Sequence, residues 1–431
     1  MKEFYLRIMW ISCSLFLFTV LAATSAWSAG LWLYEYGAPD MGTAAAGRAA
    51  LAKDASTAGG NPAGMTRLER SELLLGTQPM IYSAKFEADS RTTVSGGNGG
   101  DAGGFIGALG LFYVHSLTKD LKLGVATGTY FGLGLDYDDS WAGRYYVQEA
   151  ELITFGVNPS IAYRVNNWLS VGGGFSVVYA ELSQKAAINN EGAGDAGFPD
   201  GKIGLEDDDI GFGGNAGVLI EAAKGTRFGF SYRSEVELEF KDLAKIEGLG
   251  PTLTSALTTT GLLGSQADFT ITIPQAVMVS AYHELTDKFA IMGNVGWQDW
   301  SEFGKTEVTI RSTNARNFTS DRKFDDTIHA AIGIQYRLSK PWLLSAGFAY
   351  DSSPVDNEDR TVDMPLDRQL RYATGLQYEW SKDITLGFAY EFLDAGDADI
   401  NQTRGPLTGT IAGNYETNQI HLFNINLIWR F

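Results

Sequence analysis

Downstream of Ser71 the chain alternates. Between Phe228 and Lys241, the residues Phe228, Phe230, Tyr232, Val236, Leu238 and Phe240 share one parity, and Arg233, Glu235, Glu237, Glu239 and Lys241 share the other. Leu370, Tyr372, Leu376, Tyr378 and Trp380 alternate with Arg371, Gly375, Gln377 and Glu379. Ile384, Leu386, Phe388, Tyr390 and Phe392 alternate with Asp383, Thr385, Gly387 and Glu391, and the chain closes on Phe423, Ile425, Leu427, Trp429 and Phe431, alternating with Asn424, Asn426 and Arg430. A period of two puts successive side chains on opposite faces of a strand. Six short stretches interrupt the pattern: 117–120, 165–167, 223–225, 285–287, 338–341 and 380–383. They carry the Asn, Asp, Gly or Pro that tight turns require. Six turns divide the chain after Ser71 into seven hairpins, so the pattern predicts an all-β antiparallel fold of fourteen strands with both ends on the tight-turn side.

The stretch from Ala29 to Arg70 breaks the pattern. It is crowded with Ala and Gly, shows no alternation, and is interrupted at Asn61-Pro62. Proline forbids a continued helix there and pushes Asn61 toward extended geometry. Too small-residued to build a core of its own, this segment suits close packing inside something else, and the predicted arrangement is a plug held in the lumen of a barrel. The expected organisation is a leader over 1–28, a plug over 29–70 and a barrel over 71–431.

Opposite the tight turns lie longer loops. One is Gly-rich, from Ser95 to Gly104. A second, Asn189 to Asp209, ends in the acidic run Glu206–Asp209, which offers carboxylate oxygens to a divalent cation or stands as a solvated loop. A third, Leu243 to Ala267, carries Leu249, Leu253 and Leu257 at the i, i+4, i+8 spacing of one helix face. Apolar residues in a surface loop either pack on neighbouring loops or offer a landing site for a greasy ligand.

The beginning of the chain sets the compartment. Lys2 and Arg7 precede an apolar run from Ile8 to Ala23, with small residues around Ala26-Trp27-Ser28. That is the layout of a secretory signal peptide, with cleavage expected after Ser28. The run is short for a retained transmembrane anchor. The single cysteine, Cys13, lies within it, so the mature chain would hold no thiol. An exported, cysteine-free chain fits a Gram-negative envelope. The formal charge of −18, near −19 without the leader, excludes nucleic acid as a partner, because phosphate binding needs a basic surface.

Alternation alone does not separate a soluble sandwich from a membrane barrel. An aromatic content of 12%, 51 glycines and the lack of a second apolar helix-length run favour the barrel. The last strand favours it too, since a soluble edge strand seldom ends on exposed apolar residues. A terminal Phe431 closing an aromatic strand also resembles the C-terminal signal read by the outer-membrane assembly machinery, the partner it implies.

With plug, turns and strands in place, the chain resembles the outer-membrane transporter family for long-chain fatty acids and other hydrophobic compounds (FadL/TodX type). The resemblance covers the mature chain. It is carried by AGLWLYEYG from Ala29, NPA at Asn61-Pro62-Ala63, YRSEVELEFK from Tyr232 and the run Asp351-Ser352-Ser353-Pro354-Val355. It implies that the N-terminal segment is a hatch with Asn61, Pro62 and Ala63 at its turn. It also implies that Ala29, Gly30 and Leu31 reach an internal apolar ligand pocket, and that the third strand kinks inward to open a side door. Tyr130-Phe131-Gly132-Leu133-Gly134 matches the kink, with Gly132 as its candidate and Gly128 and Gly134 as alternatives. Leu249, Leu253 and Leu257 would form part of an outer capture groove. The basic partners of a fatty-acid carboxylate have no clear counterpart. Lys185 lies near one such position, and Asp325-Asp326 stands where another would be. That departure leaves room for a neutral substrate such as an aromatic hydrocarbon or an alkane.

The predicted function is passive, cofactor-free passage of hydrophobic molecules through a monomeric barrel, with lateral exit into the outer-membrane lipids. A general porin is the competing reading, supported by the charged lumen face of Phe228–Lys241. An outer-membrane hydrolase would need a Ser–His pair at His283 or His329. The four histidines, His115, His283, His329 and His421, share no spacing, and neither G-x-S-x-G nor H-E-x-x-H occurs. No catalytic residue, metal ligand or cofactor site is therefore predicted.

Overall fold

The computed structural model describes residues 31–431, apart from 33, 35, 130, 260–262 and 312–315. Strands β1 to β9 run Leu31–Trp32, Glu72–Ala88, Phe105–Ser116, Leu121–Gly128, Phe131–Asp136, Glu149–Arg164, Leu169–Ile188, Gly201–Ala223 and Thr226–Arg233. Strands β10 to β16 run Val236–Leu243, Lys245–Glu247, Gln266–Ile273, Ala276–Thr286, Phe289–Gln298, Lys305–Arg311 and Arg316–Asp321. Strands β17 to β22 run Thr327–Ser339, Trp342–Asp351, Gln369–Glu379, Ile384–Asp394, Ile400–Thr403 and Thr410–Arg430.

The wall follows the order β2, β3, β4 with β5, β6, β7, β8, β9, β13, β14, β17, β18, β19, β20, β22, each antiparallel to the next, and β22 pairs back onto β2. Counting β4 and β5 as one interrupted strand, this is a closed barrel of fourteen strands. Closure leaves no unpaired edge, which lipid would not tolerate. The expected tight turns are all hairpin turns; Thr118 bonds back to Leu121, Val165 to Leu169 and Ser381 to Ile384. Alternation sorts the wall as predicted. Phe388, Ile425 and Trp429 are exposed outward, whereas Arg371, Glu391, Asn424 and Asn426 are buried inward.

One strand departs from its pattern. Phe228–Lys241 is two strands in two sheets. Phe228 and Phe230 on β9 face outward and are exposed, but the chain leaves the wall at Ser234-Glu235. Val236, Leu238 and Phe240 on β10 are then buried. Strand β10 joins β12, β15 and β16 in a second, four-stranded sheet on the long-loop side. The loops are correspondingly shorter than expected. Gly201 to Asp209 belong to β8, and 243–267 contains β11 and a helix, Pro251–Thr259.

The segment before β2 fills the lumen. It forms short turns of helix, Pro39–Thr43, Arg48–Leu51, Thr57–Gly60 and Pro62–Arg67. They touch wall strands from every sector, from β3 and β4 through β8 and β13 to β19 and β20. The wall meets them with glycine. A Cβ at Gly76, Gly229 or Gly347 would lie 1.8, 1.9 and 2.0 Å from the backbone oxygens of Gly37, Ala49 and Thr43. The segment thus lies backbone-down on the wall. Its own alanines are small for the same reason: nothing larger fits between two such surfaces.

Candidate functional site

The third wall strand is interrupted between Gly128 and Phe131. Strand β4 ends at Gly128, opposite Gly156 of β6, and β5 resumes with Gly132 opposite Ile153. Four steps on one strand answer three on the other, the count of a β-bulge. The interruption lies between Gly128 and Phe131, so Gly132 sits just past it. Beyond the break the strand no longer pairs with its neighbour. Phe105–Gly110 of β3 pair with β2 and, among the described residues, with nothing on the other side. The free flank of β5 takes β1 instead, with Leu31 opposite Gly132 and Trp32 opposite Phe131. The wall therefore has a lateral gap between β3 and β5, and the chain's own N-terminal strand is hydrogen-bonded along one side of it.

An apolar cavity of about 230 Å³ is lined on the wall side by β6, β7 and β8 and is linked to the break through the contact of Phe131 with Phe303. Leu152, Leu182, Leu205, Phe269, Ile271, Phe303, Val308 and Met364 line it. Phe131, at the break, packs its ring against Phe303 (5.1 Å) and Trp300 (5.7 Å) of the short helix Trp300–Phe303. The four-stranded upper sheet supplies Phe269, Ile271 and Val308, which is why the chain must leave the wall at Ser234. Polar groups enter the cavity at Glu151, Gln184, Thr306, Ser320 and Arg322. Arg322 is already engaged: it donates to Asp363 (2.7 Å) and Thr361 (3.1 Å). Burial alone would raise the Asp363 carboxyl, and the Arg322 guanidinium overrides this and holds it at about 2.

Asn61 does more than turn the chain. Its side-chain oxygen accepts from the Ala63 N–H (3.1 Å), and its amide donates to the carbonyls of Ala49 (2.6 Å) and, on wall strand β8, Val218 (3.0 Å). Pro62 begins the next helical turn, where its missing N–H is no loss. Gly172 and Gly217 provide the seat; a Cβ at Gly217 would lie 1.9 Å from the Asn61 oxygen, and one at Gly172 2.6 Å from the Ala63 nitrogen. Asn61, Pro62 and Ala63 thus join two turns of the lumen segment to the wall through one fully buried side chain.

A polar cluster that the sequence pattern did not reveal joins the start of the lumen segment to the opposite wall. Tyr34 donates its hydroxyl to Asp351 (3.2 Å) and accepts from Gln298 (2.6 Å). Asp351 also holds His329 (2.8 Å) and Arg371 (3.1 Å), and Arg371 reaches Glu391 (3.4 Å). Gln298 in turn accepts from the Trp300 indole (2.7 Å). The alternation had placed Arg371 and Glu391 on the inner face, but their partners come from separate elements with no common spacing.

The remaining expected residues are dispersed. Ala29 and Gly30 lie outside the described residues, and Leu31 forms β1. Lys185 on β7 is held by Glu149 (2.7 Å) and Glu206 (3.8 Å). Leu249 precedes the helix Pro251–Thr259, and only Leu253 and Leu257 share a helical face there, both half-buried. The helix is tied to the neighbouring loop by Asn190, which accepts from Gly250 N–H (2.9 Å), and by Asp195, which accepts from Thr252 N–H (3.0 Å). Of the acidic run, Asp207 and Asp209 accept backbone N–H groups of Lys241 and Glu239, and Glu206 pairs with Lys245. His283 meets the Thr226 hydroxyl and His329 the Asp351 carboxylate, each through Nδ1.

A closed fourteen-strand wall, a packed lumen and an apolar cavity linked to a lateral gap define a transport barrel of the outer membrane. The chain belongs to the family of outer membrane protein transport proteins (OMPP1/FadL/TodX), which it matches over residues 19–431. It is 28% identical to the long-chain fatty acid transport protein of Escherichia coli O6:H1 (strain CFT073), over 95% of this chain and 96% of that protein. It is 26% identical to outer membrane protein P1 of Haemophilus influenzae (strain Rd), over 96% of this chain and 97% of that one. Its fold is similar to that of a Pseudomonas aeruginosa FadL homologue, with a TM-score of 0.85 at 19% identity over 94% of this chain and 100% of that one. It is also similar to the toluene transporter TbuX of Ralstonia pickettii, with a TM-score of 0.68 at 19% identity over 93% of this chain and 99% of that one.

Proposed function

We propose that this protein passes hydrophobic molecules, long-chain fatty acids or related lipophilic compounds, across the outer membrane without an energy source, and releases them sideways into the bilayer. The observation that carries this reading is the gap between β3 and β5 together with an apolar cavity whose Phe303 packs against Phe131 at the break. Transfer of a chain from water into such a cavity is downhill by about 0.8 kcal/mol per buried CH₂. A solute that left along the lumen axis would lose that gain again in the aqueous periplasm, whereas the lateral gap leads to lipid.

On this reading Leu253 and Leu257 gather the molecule outside, with the exposed Leu263 that follows their helix and the exposed Phe198 of the loop that Asp195 ties to it. It then moves to the cavity, and Leu31 and the residues before it contact it there. Asn61, Pro62 and Ala63 hold the hatch, and the region around Gly132 is the exit. The porin alternative is disfavoured by a lumen filled from Pro39 to Arg67. Arg322 is paired with Asp363 and Lys185 with Glu149, so neither cation by itself selects a carboxylate over an uncharged cargo. The test is uptake in a deletion strain carrying the gene, challenged with oleic acid, toluene and hexadecane. Uptake of at least one should depend on the protein; small polar solutes entering equally fast would end the proposal.

A further inference from the structure

The lumen segment carries two buried carboxylates that its own side chains leave half-used. Asp40 lies in the turn Pro39–Thr43, and Asp54 stands ahead of the turn Thr57–Gly60; both are buried. With Arg48, Lys53, Ser56 and Thr57 they line a cavity of about 10 Å³ inside the segment. One oxygen of Asp40 is paired with Arg48. The other, Oδ1, is buried and has no hydrogen-bond partner among the described residues. Asp54 accepts from the Ser56 N–H (3.0 Å) and the Ser56 hydroxyl (2.5 Å), both at Oδ1. The cations around it are engaged elsewhere. Arg430 is held by Glu72 (2.8 Å), and the adjacent Lys53 turns away to Gln335 (2.6 Å) and the Tyr282 ring (4.7 Å). Asp54 therefore has no ion-pair partner among the described residues.

A buried carboxylate without a counter-charge is costly, and so is a buried oxygen without a partner. One cation in the cavity answers both. We propose that Asp40 and Asp54 bind a single sodium ion, which ties the first turn of the lumen segment to the entry of the third. Size and charge select the ion. The cavity has room for about one water-sized particle, so the ion sheds its hydration and takes oxygens from the protein. Magnesium keeps several waters, and calcium takes about six to eight oxygens and brings two charges. The charge left uncompensated here is that of Asp54 alone, since Asp40 is paired with Arg48. Of the lining residues, Lys53, Ser56 and Gly60 are only half-buried, so the ion enters on their side.

The test uses the purified full chain in detergent, in sodium chloride or in choline chloride at equal ionic strength. Sodium NMR should show line broadening that saturates with added sodium. Hydrogen–deuterium exchange in peptides covering 40–60 should be about tenfold slower with sodium at about ten times its dissociation constant, because an ion that binds only the folded segment divides its opening equilibrium by one plus that ratio. Exchange in the wall strands should be the same in both salts. Asp54→Asn keeps the side chain's shape and removes its charge. It should give no broadening, and its exchange at 40–60 should be equal in the two salts and no faster than that of the wild type in choline. Equal exchange of the wild type in both salts would mean that a water or a proton fills the cavity, and overturns the proposal. A sodium response that survives in Asp54→Asn overturns it too, as does a response that calcium produces and sodium does not. If Asp54→Asn does not assemble, the wild type decides alone: slowing confined to 40–60 supports the site, and slowing spread over the wall overturns it.

Discussion

Two side chains show how much a single residue carries here. Asn61 is fully buried and uses both ends of its amide, one on the turn it caps and the other on Ala49 and Val218. Asn61→Ala removes the cap and the two hydrogen bonds to the carbonyls of Ala49 and Val218, a loss of about 1–3 kcal/mol. That loss falls on the docking of the lumen segment rather than on the wall. The expected outcome is a barrel that still assembles but shows frequent conductance bursts in planar bilayers; silent channels would contradict it. Arg322 is the second case. Its partner Asp363 titrates at about 2, below the ordinary carboxylate value of 3.8. A carboxylate depressed in the folded state gives stability that is complete above its ordinary value and is lost as pH falls through the lowered one. The loops joined by this pair should therefore resist pepsin down to pH values near 2. In Arg322→Gln that resistance should be gone throughout the acid range. The sequence marked Asn61 because proline follows it, whereas nothing in a loop sequence pairs residue 322 with residue 363.

Strands were legible where the residues on their two sides meet different solvents. β20 and β22 read correctly because Phe388 and Ile425 meet lipid while Glu391 and Asn424 meet the lumen. The same signal misled at Ser234. Phe230 and Val236 have the same parity, so the alternation runs unbroken through a point where the strand changes sheets. The first faces lipid and the second the interior. Parity reports that a face is apolar, not which apolar medium it meets. The upper sheet was hidden for that reason, and with it the cavity, which draws Phe269, Ile271 and Val308 from there. Only the family resemblance, and no alternation, drew attention to residues 130–134, and that β1 pairs beside the break followed from no local pattern. Gly132→Trp places a large ring at this edge. Uptake of oleic acid should fall about tenfold or more, equivalent to ~1.4 kcal/mol on the barrier, while the heat-modifiable band on gels stays unchanged. Wild-type uptake in this variant would remove Gly132 from the exit.

At the scale of the molecule, wall and lumen segment are fitted to each other by what they lack. Glycines on β2, β9 and β18 leave depressions, and the backbone at Gly37, Ala49 and Thr43 lies in them. The turn count fixed the number of strands, and the Ala/Gly content suggested a filler. The docking sites themselves were not legible, because any of 51 glycines could have been one. Gly347→Val would force the Thr43 backbone off the wall at a cost of about 1–3 kcal/mol. Ion conductance should rise and the wall should stay intact. Removing 29–70 while keeping residues 1–28 should give a permanently open pore; an unchanged, closed channel would mean that this segment is not the barrier.

The depressions that receive the lumen segment lie on strands separated by most of the chain's length, Gly76 at one extreme and Gly375 at the other. No partial barrel offers them all. The segment ahead of β2 is thus among the last to find its place, since such non-local contacts form late. During assembly the membrane would briefly hold a finished wall with an unfilled centre. Cells that make this protein faster than its hatch can dock should leak. Transient sensitivity to large antibiotics during induced synthesis, fading as synthesis stops, would be the visible sign.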